Sequence, residues 1–181
     1  MKICRFDDNR VGVVRGDQVY DITATAGDAL VPSVPSNLEG LPKKPLSAVR
    51  LLSPVKSPGK IIAAPVNYKA HIEEMKKANI SPGFNIWDIE KAGLFLKATS
   101  SVIGTGETVV MPYGRTQLDW EVELGTVIGH RARYVTAQKA DEYVFGYTVM
   151  IDISDRGGRP PGGFSSGSDW FIQKGQDTFG P

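Results

Sequence analysis

Residues 118–128 read Leu-Asp-Trp-Glu-Val-Glu-Leu-Gly-Thr-Val-Ile, and this alternation constrains the fold more than any other stretch of the chain. Side chains along a strand point to opposite faces in turn, so Asp119, Glu121 and Glu123 share one face while Leu118, Trp120, Val122 and Leu124 share the other. Two carboxylates about 6 Å apart repel by roughly 3 kcal/mol at an effective dielectric of ~20, and a third acid brings the sum close to the stability of a whole domain. Two readings follow: the wet face of a half-buried strand, or a site that holds something positive.

A second strand, predicted over Tyr147–Ile153, has Tyr147, Val149, Ile151 and Ile153 as its apolar set, which puts Asp152 on the opposite face near the strand's C-terminal end. If the two strands are neighbours, Glu121, Glu123 and Asp152 form a three-carboxylate pocket, the hard oxygen set that suits Mg²⁺, Mn²⁺ or Ca²⁺. The chain has one cysteine, Cys4, and two histidines, His71 and His130. These exclude an internal disulfide and a Cys/His zinc cage, so a metal must be held by oxygen. Lys97, Arg156 and Lys174 are the cations that can face the acids, although each reads equally well as a surface residue.

The rest of the chain divides in two. Short apolar runs at Ile3–Phe6, Val11–Val14 and Val19–Ile22, separated by Asp7-Asp8-Asn9 and Gly16-Asp17, predict a small β-meander. Six of the twelve prolines fall between Pro32 and Pro58, which predicts a surface linker and a boundary at residue 59, with a second unit over 60–181. In that unit Lys60–Ala64 reads as a buried strand and Lys69–Asn79 as a helix with Ile72, Met75 and Ala78 on one face. Gly93–Ala98 reads as a strand, and Thr136–Val144 as a helix stopped by Gly146. His71 lies in the first turn of the Lys69 helix with Glu74 at i+3, where a carboxylate can orient an imidazole acting as general base; a solvated pair is the plainer reading. His130, between a strand end and Arg131/Arg133, reads as a loop residue.

Several function classes are excluded. Lys and Arg total 21 against 20 Asp and Glu, so no charge excess points to nucleic acid or anionic lipid. The longest apolar stretch, near Val144–Ile151, falls well short of the ~18 residues of a membrane span, and no apolar leader opens the chain. A soluble, cytoplasmic protein is expected. Gly163-Phe164-Ser165-Ser166-Gly167 matches a serine-hydrolase elbow, but no strand precedes it, no helix follows it and no histidine comes later. Nucleotide-binding and zinc-protease motifs are absent.

Taken in order, the motifs are familiar. They are Asn67-Tyr68-Lys69-Ala70-His71 with Glu74, Phe95-Leu96-Lys97 before Ser100-Ser101, and Leu118-Asp119-Trp120-Glu121-Val122-Glu123-Leu124 with Val127-Ile128-Gly129. Gly146-Tyr147-Thr148, Asp152-Ile153-Ser154-Asp155-Arg156, and Lys174 with Asp177-Thr178-Phe179-Gly180-Pro181 complete the set. From about Lys60 onward the chain resembles the fumarylacetoacetate hydrolase family. The resemblance implies an α+β, β-rich fold, a mixed β-sandwich roll behind a small β N-terminal domain. It implies that Glu121, Glu123 and Asp152 bind Mg²⁺ or Mn²⁺, with Ca²⁺ as a further candidate, and that the metal chelates the 2-oxo acid end of a small-molecule substrate. It also implies that His71 with Glu74 activates a water, that Lys174 stabilises the enolate, and that Arg156 and Lys97 bind substrate. The implied activity is hydrolysis, decarboxylation or isomerisation of a 2,4-dioxo or 2-oxo dicarboxylic acid in aromatic-compound catabolism, with C–C cleavage through a metal-chelated enolate, by a homodimer. The rival reading is a non-catalytic metal-binding fragment or binding module of the same fold.

The chain departs from the family pattern in three places. Ala70 stands where many members carry an acid, Gly157, Gly158 and Arg159 stand where many carry an acid and soon a glutamine, and the family's later strands and Gly/Thr-rich loop are not represented. Asp119 shares the strand face but lies outside the family's ligand pattern. Residues 60–181 are therefore expected to be the N-terminal part of a catalytic domain, incomplete at the C-terminus.

Overall fold

The computed structural model describes residues 1–27, 31–78, 93–112, 114, 117–156 and 170–180. The Gly163–Gly167 motif, Gly157, Gly158, Arg159 and the expected helix end at Asn79 lie outside them.

The first unit is an antiparallel sheet. Strands β1 (Lys2–Phe6), β2 (Arg10–Arg15) and β3 (Gln18–Asp21) form the expected meander. Its first turn places Asp7 and Asn9 at positive φ, and its second uses Gly16 at φ 58°, a conformation that costs glycine nothing. The proline-rich segment does more than link. It supplies β4 (Lys43–Pro45) and β5 (Leu51–Leu52), the two edges of a five-stranded sheet ordered β4-β3-β2-β1-β5. Proline is tolerated there because an edge strand leaves half of its amides without a ladder partner to lose. A core of Val13, Ile22, Ala26 and Leu38 forms where the one-turn helix α1 (Thr23–Ala26) folds back on the sheet. Cys4 is partly buried on β1, and that burial pushes its thiol up to about 11.

The second unit opens with β6 (Ile61–Ala63), paired antiparallel with β7 (Phe95–Lys97). The expected burial of β6 is not observed, since Ile62 is largely exposed. Helix α2 spans Lys69–Lys77 and buries no residue. Two long strands follow, β8 (Leu118–Ile128) and β9 (Val144–Asp155), paired antiparallel from Leu118↔Asp155 to Ile128↔Val144 with one irregularity at Val127/Ile128. The segment between them, expected as a helix, is a 3₁₀ stretch over Ala137–Tyr143, and β9 begins at Val144. A short helix, α3 (Trp170–Lys174), packs on β9 and β7. Phe179 is fully buried and receives the Ile153 N–H on its carbonyl, while Val102 and Gly180 form a parallel bridge. The fold is α+β and strand-rich. Among the described residues no helix is long and apolar enough to cross a membrane.

Gly104 packs against the backbone of Leu52 and Ser53. A β-carbon there would lie 2.6 Å from the Ser53 nitrogen and 2.8 Å from the Leu52 backbone, and backbone atoms cannot swing aside as a side chain can. Gly104→Ala is expected to cost about 1–3 kcal/mol, the usual scale of overpacking, measured by urea denaturation. A loss below ~0.5 kcal/mol would show that the contact relaxes freely.

Candidate active site

The β8–β9 hairpin turns its acids inward. Trp120 is 75% exposed and Val149 73% exposed, whereas Asp152 and Ser154 are buried and Glu121 and Glu123 are half-buried. This inverts the ordinary arrangement of a half-wet strand for Glu121 and Glu123, while Asp119, at the outer end, stays exposed. The physical reason is the partner set. The inward face meets α3 and β7, and those elements bring lysines.

Register places Glu121 directly opposite Asp152, Asp119 opposite Ser154, and Glu123 opposite Met150. Lys174, at the end of α3, donates to Glu121 Oε2 at 2.9 Å, to Asp152 Oδ2 at 2.6 Å and to Ser154 Oγ at 2.7 Å. Ser154 in turn donates to Glu121 Oε1 at 3.0 Å. Lys97, at the end of β7, donates to Asp152 Oδ1, to the Lys174 carbonyl at 2.9 Å and, at 3.4 Å, to the Ile153 carbonyl. Lys97 and Lys174 are only 3% and 7% exposed. They are not surface lysines, and each is buried against carboxylates, as a buried ammonium must be. Burial lowers the Lys97 ammonium from its ordinary range, with the Asp152 carboxylate pulling the other way. α3 is fixed by an edge-to-face contact of Trp170 on Phe95, ring centroids 4.4 Å apart, and the Lys174 ammonium lies over the Phe95 ring.

Arg156 caps the outer end of the cluster. It is bonded to Asp119 at 2.9 Å and to Glu121, with 43% of its side chain exposed. The charge demanded by the acidic face is thus met by three cations of the protein itself. Glu123 is held differently. The Tyr68 hydroxyl accepts the N–H of the next residue, Leu124, at 2.9 Å, and among the described residues no cation is hydrogen-bonded to Glu123. Burial raises its carboxyl above the usual range, the Tyr68 hydroxyl opposes this, and the charges of Glu121 and Asp152 raise it further.

The donor chemistry suits a hard divalent ion: two carboxylates face each other across adjacent strands, already share one cationic group, and have a third carboxylate on the same face. The expected pocket is nonetheless not a closed cage. Among the described residues no group of three or more His, Cys, Asp or Glu side chains is arranged to hold a metal ion, because the point on which Glu121 and Asp152 converge is taken by the Lys174 ammonium. His71, on α2, has its Nδ1 3.8 Å from Glu74 Oε2, with both side chains more than half exposed. Two participants carried no assigned role in the sequence reading. Ser154 was discernible, because period-2 counting from Asp152 places it on the inward face. Tyr68 was not, because its contact with β8 spans 56 residues.

Residues 60–181 match the family profile described as fumarylacetoacetate (FAA) hydrolase C-terminal. The chain is 43% identical over 179 residues to the maleylpyruvate hydrolase of Aquipseudomonas alcaligenes, an alignment covering 87% of this chain and 62% of that protein. It is 34% identical to the 2,4-didehydro-3-deoxy-L-rhamnonate hydrolase of Sphingomonas sp. (strain SKA58), covering 100% of this chain and 61% of the relative. Among solved structures, the maleylpyruvate hydrolase from Sphingobium sp. SYK-6 in complex with manganese(II) ion and pyruvate superposes with a TM-score of 0.72. The identity is 32%, over 100% of this chain and 64% of the other. The chain therefore spans a little under two thirds of the length of these relatives.

Proposed function

The chain belongs to the fumarylacetoacetate hydrolase family, and we propose that it carries the divalent-metal and proton-transfer residues of an enzyme acting on a small 2-oxo or 2,4-dioxo dicarboxylic acid. Hydrolytic C–C cleavage of an acylpyruvate-type substrate in aromatic-compound catabolism is the reaction favoured by the relatives' activities, ahead of decarboxylation or isomerisation. The observation that carries the reading is the convergence of Glu121 and Asp152, directly opposite on β8 and β9, on a single buried cationic group.

Glu121, Glu123 and Asp152 would hold Mg²⁺ or Mn²⁺. When bound, such an ion draws off the negative charge that develops on the substrate's carbonyl oxygens as the C–C bond breaks. The protein's own groups do the rest. His71 takes a proton from the attacking water, and Glu74 stabilises the imidazolium that results. Lys174 and Arg156 compensate negative charge on the substrate, Arg156 from the more exposed position. Lys97, whose donors are engaged by Asp152 and two backbone carbonyls, holds Asp152 in place on the side of the site where it would also bind substrate. A homodimer in a cytoplasmic setting belongs to the same reading.

The Lys174 contact also favours a second reading, a non-catalytic module whose acids are balanced by the protein's own cations, the two lysines with Arg156. Calorimetry separates the two. Wild-type protein is expected to bind Mn²⁺, and Glu121→Gln to weaken binding at least 10-fold, because one anionic ligand and one charge are lost. Mn²⁺-dependent loss of an acylpyruvate's absorbance should accompany binding. Absence of Mn²⁺ binding to the wild type would establish the cation-balanced module.

A further inference from the structure

The first unit carries a cleft of about 560 Å³, lined in part by Lys43 of the edge strand β4, and that volume is within the range of small-molecule sites. One wall is the core face of the sheet. Val13 pairs with Tyr20 and Tyr20 with Lys43, so these three side chains share a face, and Arg15, two residues beyond Val13, shares it too. Val13 is fully buried in the core, whereas Arg15 and Lys43 reach solvent at its margin. The other wall is a turn over residues 37–41. Asn37 Oδ1 accepts the Glu39 N–H at 2.9 Å and the Leu38 carbonyl accepts the Leu41 N–H at 3.3 Å, while Gly40 takes φ 74°, a backbone conformation open to glycine at no steric cost. Leu38 is buried in the core cluster and Leu41 packs against it. Both walls are fixed by hydrogen bonds of the fold, so the cleft needs no ordering before it is filled.

The cations of this cleft are spare. Lys44, on the opposite face of β4, is paired with Asp7 at 2.8 Å, whereas among the described residues neither the Arg15 guanidinium nor the Lys43 ammonium has a carboxylate partner. The Lys43 ammonium lies 5.7 Å from the centroid of the Tyr20 ring. Glu39, on the turn, is the acid of the cleft, so two positive charges and one negative leave an excess of one. A single negative charge matches that excess; a phosphate monoester, with about −1.5 to −2, brings more charge up to Glu39. The guanidinium fork pairs with both oxygens of a carboxylate. Tyr20 and Leu41 offer apolar surface for the rest of such a molecule.

We propose that this cleft binds a small organic monocarboxylate with an apolar body, its carboxylate held by Arg15 and Lys43 and its body laid against Tyr20 and Leu41. The proposal is independent of the metal and oxo-acid reading, since every residue it uses belongs to the first unit.

Benzoate is the probe, followed through the ¹H–¹⁵N amide spectrum of the whole chain. Shifts are expected to concentrate at residues 15, 20, 37–41 and 43, and to saturate with a Kd on the order of 1 mM, the scale that a ligand of this size reaches. Arg15→Gln and Lys43→Gln should each weaken binding about 5-fold, as the loss of one charged contact near solvent does. Both side chains are exposed, so the thermal midpoint should not move. Acetate, which lacks the body, should bind at least about 10-fold more weakly than benzoate. Absence of saturable shifts at about 10 mM benzoate, or equal affinity in both charge variants, would overturn the proposal. Shifts confined to the second unit would place benzoate elsewhere and overturn it as well. Phosphate binding more tightly than benzoate, or acetate as tightly, would overturn the assignment to a carboxylate with an apolar body.

Discussion

Asp152→Asn is expected to destabilise the fold by about 3–5 kcal/mol, the scale on which removing one partner from a buried ion pair acts. The reason lies in the number of cations that depend on this carboxylate. Lys97 reaches Oδ1 and Lys174 reaches Oδ2, with the Lys97 side chain fully buried and that of Lys174 nearly so. An amide of the same shape offers one acceptor and turns an NH₂ donor toward an ammonium. Lys174 retains Glu121, whereas Lys97 is left with backbone carbonyls. For a domain whose total stability is of order 5–15 kcal/mol, this loss should lower the thermal midpoint by about 10 °C. Adding Lys97→Met should recover part of it, since an apolar side chain of similar length has no charge to strand. A midpoint within ~2 °C of wild type for Asp152→Asn alone would show that water reaches these lysines.

The same cluster explains which parts of the molecule were legible in the sequence. Local chemistry located the strands well. The Leu118–Ile128 alternation is β8 residue for residue, and the Asp7-Asp8-Asn9 and Gly16-Asp17 turns fall where short polar residues and glycine relieve positive φ. Shared faces followed from the period of two, and the register then set Glu121 against Asp152. What packs against each face is set by residues distant in sequence and is not legible locally. Trp120, Val122 and Leu124 form the more apolar face of β8, yet they point outward and the acids inward, because Lys97 and Lys174 arrive from residues far along the chain. Likewise Thr136–Val144 has helical composition but closes as 3₁₀ turns, since β9 takes up the chain at Val144 to complete its ladder with β8. The prolines of 32–58 exclude a central strand; that such a segment can edge a sheet on both sides depends on where β1 and β3 lie.

Polar burial of this kind is poor economy for stability. Among the described residues of the second unit, the buried apolar side chains are Ile153 and Phe179, while Lys97, Ser101, Asp152, Ser154, Asp155 and Lys174 are the buried polar ones. Well-packed apolar residues would hold the fold at least as well, so the interior is arranged for charge. That interior is where the proposed metal and oxo-acid chemistry would find its charged partners.

His71→Ala provides the complementary test, because it is expected to remove turnover while leaving stability and metal affinity in place. The imidazole is half exposed, its neighbour is Glu74 at 3.8 Å, and neither residue is in the buried cluster, so truncation uncovers no charge and opens no cavity. The thermal midpoint should stay within ~2 °C and Mn²⁺ affinity within about 2-fold. If His71 deprotonates the attacking water, kcat should fall by about 10²-fold or more, the ordinary contribution of a positioned general base. Glu74→Gln should give a smaller loss of the same kind, since its carboxylate lies in solvent and is screened. KM should change little in either variant, because the contacts proposed for the substrate are the cation and Arg156, not His71 or Glu74. A His71→Ala variant that retains near wild-type kcat would remove His71 from the mechanism and transfer the proton to another group, while a parallel collapse of Mn²⁺ affinity would make His71 part of the metal site itself.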